Sequence, residues 1–146
     1  MTVRMDHDLS VPGFIRTAKD FHAALQILAS SSLQSAPVVS VLAGHSLELG
    51  LKAFLLQTGR TESELRSLGH DLAKTWDDAR NRGLPVEDSP PWWCEALSSA
   101  YDRPFMARYV RSNTGLVLPN TAALVTDLGL VLDQVVREIT ARGGTA

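Results

Sequence analysis

The stretch that decides the fold reads Val38-Val39-Ser40-Val41-Leu42-Ala43-Gly44-His45-Ser46-Leu47-Glu48-Leu49-Gly50-Leu51-Lys52-Ala53-Phe54-Leu55-Leu56. Apolar residues fall on nearly every side of the helix it would form, the pattern of a helix enclosed by other helices. Ser35 and Pro37 suit its start and Gly59 its stop. Gly44, Gly50 and Ala53 would let neighbours approach closely, at some cost in helix propensity. The span Ala36 to Thr58 is also long enough to cross a bilayer. Glu48 and Lys52 near its middle would each cost on the order of 2.5–3.5 kcal/mol in lipid. The reading taken is therefore a buried helix inside a protein bundle, with no membrane involved.

The same helix carries a polar ridge. With His45 as zero and about 100° per residue, Glu48 lies near 300° and Lys52 near 340°, an arc of about 60°. Glu48 and Lys52 stand in the favourable i, i+4 order, and His45 lies one turn before Glu48. Two readings stay open. The ridge is a self-neutralising polar seam between helices, or it is one wall of a ligand cleft or dimer interface. His45 and Glu48 offer at most two ligands to zinc, so no metal site is expected.

Outward from this helix the pattern stays helical. Phe14, Ala18, Phe21, Leu25 and Leu28 recur at helical spacing before it. After it, Thr61-Glu62-Ser63-Glu64 is a capping box, and the short helix it opens ends at Gly69. Asp71 is a cap for a further helix to Arg82, burying Leu72, Trp76 and Ala79. Here too there are two readings. His70-Asp71 is local capping with His70 against the central helix, or His70 meets Glu48 across the fold. Pro90 and Pro91 open a helix containing Trp92, Trp93, Leu97 and Tyr101. Trp92 and Trp93 are expected as core or interface anchors. The chain from Asp102 to Pro119 reads as irregular. A last helix begins near Asn120, with Leu124, Leu128, Val131, Val135 and Ile139 as its buried stripe. The expectation is one all-α domain over residues 1–146, an up-and-down bundle of four to five helices.

Composition narrows the function. A net charge of −2 over 146 residues argues against a generally basic nucleic-acid binder, so such binding would need a local patch. The best candidate is Tyr101 to Arg111. There Arg103, Arg108 and Arg111 mix with Tyr101, Phe105 and Tyr109, combining guanidinium forks for phosphate with rings for base stacking. The alternative is a solvated loop with Phe105 and Tyr109 packed on the core. The single cysteine, Cys94, leaves no internal disulfide and fits a reducing, cytoplasmic setting. The first ten residues lack the apolar core of a secretory signal.

The run His45 to Leu55, then Gly59, then Leu68-Gly69-His70-Asp71-Leu72 resembles bacterial HEPN-domain proteins. These share a helix reading H-x-x-E-x-x-x-K, a short loop ending in glycine, and a helix opening with histidine–aspartate–leucine. The resemblance covers Ala36 to Arg82 and continues weakly through Arg108-Tyr109. It implies a four- or five-helix bundle, often homodimeric, acting in RNA metabolism, toxin–antitoxin pairs or phage defence, in some cases beside a nucleotidyltransferase. Ribonuclease members carry an arginine followed four to six residues later by a histidine, late in the fold.

This chain departs from that last pattern. No histidine follows His70, leaving Arg103, Arg108 and Arg111 without a partner. Arg16 and His22 have the spacing but point about 240° apart. Arg66 and His70 are one residue too close. The expected function is a non-catalytic module binding RNA, a nucleotide or a protein partner, with no cofactor. The ligand candidates are His45, Glu48, Lys52, His70, Asp71, Arg103, Arg108, Tyr109 and Arg111. One alternative is an atypical metal-independent endoribonuclease, with His70 and Arg108 as catalytic candidates. The other is a purely structural dimerisation bundle.

Overall fold

A computed structural model describes residues 9–101 and 117–146. Among the described residues the chain is all helical: α1 (Val11–Ala29), α2 (Ala36–Gln57), α3 (Glu62–Leu68), α4 (Leu72–Asn81), α5 (Trp92–Tyr101) and α6 (Thr121–Ala141). The all-α bundle is as expected, and the capping-box segment forms the short separate helix read from the sequence, so the total is six when it is counted beside the five longer helices. Each start has a local cause. Ser10, Ser35, Thr61, Asp71 and Asn120 all place a side-chain oxygen on a free first-turn amide. Thr61 and Glu64 complete the reciprocal box.

Helix α2 is the axis of the bundle, packed by α1, α3, α4, α5 and α6. Thirteen of its 22 residues are buried, among them Leu47, Leu51, Phe54 and Leu55. It is apolar and long enough to cross a membrane, yet 72% of its most apolar window is covered by the rest of the chain. Only its first turns open outward, where Val38 and Val41 are exposed. The Ser46 hydroxyl donates to the Ala18 carbonyl at 2.7 Å and ties α2 to α1. Helix α6 lies along α2 in the same direction, with Leu132 over Gly50 and Gly144 beside Gln57.

In α1 the buried stripe is Ile15, Ala18, Leu25 and Leu28, with Phe14 and Phe21 only partly covered. The tryptophans divide. Trp93 is buried edge-on against Trp76, their ring centres 5.9 Å apart, and the Trp76 indole N–H donates to the Glu87 carbonyl. Trp92 is exposed. Cys94 is fully buried, and burial pushes its thiol from the ordinary 9.0 up to about 12.

Candidate functional site

The helical spacing of α2 lines up His45, Glu48 and Lys52, and two other elements close over that line. The corner between α3 and α4 brings His70, and the last residue of α5 brings Tyr101. Lys52, His70 and Tyr101 meet directly on the Glu48 carboxylate, and His45 joins them through the Tyr101 hydroxyl. Glu48 Oε1 accepts from Lys52 Nζ at 2.7 Å. Glu48 Oε2 accepts from the Tyr101 hydroxyl at 2.8 Å and pairs with His70 Nδ1 at 3.0 Å. Lys52 also donates to the Gly69 carbonyl at 2.8 Å. Gly69 has φ +58°, a left-handed conformation that glycine adopts freely, and it turns the chain between α3 and α4. The Tyr101 ring sits directly on Gly44, where a Cβ would come within 2.6 Å of Tyr101 Cγ.

This network fixes proton positions. The single Tyr101 hydroxyl proton goes to Glu48, so the 2.7 Å contact between Tyr101 Oη and His45 Nδ1 needs its proton from the imidazole. A carboxylate has no proton to give, so His70 Nδ1 must likewise carry one. Both rings are therefore Nδ1–H tautomers when neutral. Neither Nε2 has a hydrogen-bond partner among the described residues, and neither is sealed from solvent. The His70 side chain is 41% exposed, whereas Glu48 and Lys52 are buried.

The charges follow from this geometry. Burial pushes the Glu48 carboxyl up. The Lys52 charge and hydrogen bond, helped by the hydrogen bonds of His70 and Tyr101, outweigh that and hold it below the ordinary 4.5. His45 lies below the ordinary 6.5, chiefly through burial; the nearby Glu48 charge opposes this, while those of His70 and Lys52 reinforce it. The Phe21 ring edge covers His45 at 4.5 Å, and the His70 ring stands edge-on to Tyr101 at 5.4 Å. The cluster thus holds one balanced ion pair and two imidazoles whose Nε2 atoms carry no hydrogen bond among the described residues.

Of the sequence candidates, His45, Glu48, Lys52 and His70 come together. Both readings of His70-Asp71 hold at once, because His70 turns to Glu48 while Asp71 caps α4. Asp71 Oδ1 accepts from the Lys74 amide at 2.9 Å and from the Ser98 hydroxyl at 3.4 Å, which directs it away from the ridge. Arg103, Arg108, Tyr109 and Arg111 lie outside the described residues. His22 is turned to α6, its Nε2 2.8 Å from the Val125 carbonyl. Among the described residues no three His, Cys, Asp or Glu side chains converge in a metal-binding arrangement. A depression of about 350 Å³ between α3 and α4 is lined by Arg60, Glu64, Lys74, Asp77 and Asp78, and contains none of the ridge residues. The Arg60 guanidinium is occupied there by Asp78 and Glu64. Tyr101 is the site residue that sequence reasoning placed elsewhere, in the apolar face of its helix and the arginine–aromatic segment. Compared with known family models, curated proteins and solved structures, the chain matches none.

Proposed function

We propose that this chain is a HEPN-type helical module that binds RNA or a nucleotide, working as a homodimer or beside a protein partner such as a nucleotidyltransferase. The observation that carries the reading is the convergence of His45, Glu48, Lys52 and His70, two of them presenting imidazole edges to solvent. A self-neutralised Glu48–Lys52 pair supplies rigidity, and the imidazoles supply groups that can reach a ligand. The test is fluorescence anisotropy with a labelled mixed-sequence RNA over a salt titration, beside the Arg108→Ala variant. Saturable, salt-sensitive binding weakened in the variant supports the module. RNA that stays unbound at low salt removes the nucleic-acid reading.

A second reading, cleavage without a metal, is favoured by one specific observation. Two imidazoles tied to one carboxylate, His70 directly and His45 through Tyr101, are suited to act as general base and general acid. Incubation of the protein with RNA and a chelator, beside His70→Ala, separates the two. Specific cleavage that disappears in the variant would replace binding by catalysis.

A further inference from the structure

The locked tautomers carry a consequence for what the site can hold. A neutral His70 whose Nδ1 proton is committed to Glu48 presents only a lone pair at Nε2. In that state it repels an anion. Moving its one proton to Nε2 would set a bare nitrogen against the carboxylate, so the ring can donate outward only as the imidazolium. That cation would lie 3.0 Å from Glu48 Oε2, a buried carboxylate whose other oxygen is already matched by Lys52. One added proton therefore gives the whole cluster a net charge of +1, with its open N–H directed at solvent.

We propose that His70 is an oxyanion site for a phosphate-type group that binds only together with a proton, with Glu48 as the fixed counter-charge. The proposal rests on the RNA- or nucleotide-binding reading and names the group on such a ligand that this site would take. His45 reaches Glu48 only through the neutral Tyr101 hydroxyl, under the Phe21 ring, and is the poorer of the two rings for holding charge. Its Nε2 lone pair is left to accept from a hydroxyl. The other charged groups facing the pair are Glu48 and Lys52 from α2; Asp71 beside His70 is engaged with Lys74 N and Ser98.

The experiment is a titration with sulfate, which does not itself change protonation near neutral pH, followed by the His70 NMR resonances between about pH 5.5 and 8.5. Affinity is expected to weaken as pH rises, reaching about tenfold per pH unit, the slope for one linked proton. His70→Gln, on a half-open side chain, keeps a donor for Glu48 but cannot take the proton. It should lose the pH dependence and most of the binding. Glu48→Gln should move the dependence to lower pH, and chemical shifts confirm whether that variant is folded.

A pH-independent sulfate affinity, or a pH slope that survives in His70→Gln, overturns the proposal. An RNA phosphodiester run in parallel keeps the two ideas apart. RNA that binds with no pH slope and ignores His70→Gln sits elsewhere, which defeats this inference and leaves the RNA-binding reading. Proton-linked sulfate binding without RNA binding does the reverse.

Discussion

Glu48 has both oxygens committed, so removing its carboxylate leaves a buried Lys52 ammonium with only the Gly69 carbonyl and takes the acceptor from His70 and Tyr101. Glu48→Ala is expected to destabilise by about 3–5 kcal/mol, the range for stranding one partner of a buried pair. Urea unfolding of the two proteins measures it, and an unchanged midpoint would mean the pair is not sheltered. Gly44→Ala tests the same corner from the opposite side. Its methyl would meet the Tyr101 ring, with an expected cost of about 1–3 kcal/mol and a changed Tyr101 near-UV signal. The ridge itself was legible, because three ionisable groups in an otherwise apolar helix fall within one arc. Tyr101 was not. It lies 53 residues from Glu48, and no periodicity links a helix end to a groove made by a missing side chain.

At the scale of the element, local chemistry was the most readable part. The Thr61–Glu64 box, the Asp71 cap and the Asn120 start all stand where their side chains can satisfy free amides. Sequence reading treated the two roles at His70-Asp71 as alternatives, but adjacent side chains leave a backbone in different directions and both roles are filled. Asp71→Ala therefore reports on the cap and its Ser98 contact, not on the ridge. It should cost about 1 kcal/mol and leave the His45 and His70 resonances in place, as a heteronuclear spectrum would show. Movement of both histidines in that variant would mean that the cap and the ridge form one unit. Less readable was how far α2 is enclosed. Its composition is nearly uniform along its length, yet Val38 and Val41 are exposed while Leu47 to Leu55 lie among five other helices. An apolar run records that a segment prefers burial, not which of its turns have neighbours.

The bundle as a whole should lose stability as acid is added, and the direction follows from two groups. His45 titrates lower in the folded chain than its ordinary 6.5, so the unfolded chain takes up the proton first. Its contribution is complete above that value and declines as pH falls below it. Glu48 is held below 4.5, so its contribution is complete above 4.5 and is lost further down. Denaturant midpoints should be level above about pH 7, fall below 6.5 and fall further below 4.5. His45→Gln should flatten the upper part of that curve. A midpoint that rises on acidification would contradict the buried, uncharged state of that ring. The interior offers its own gauge for such measurements. Cys94 is the only sulfur nucleophile in the chain, and, buried on the inner face of α5 with its proton bound up to about pH 12, it stays silent towards disulfide reagents while the fold is closed. Colour released by such a reagent therefore counts opening events of the native protein, with no engineered label required.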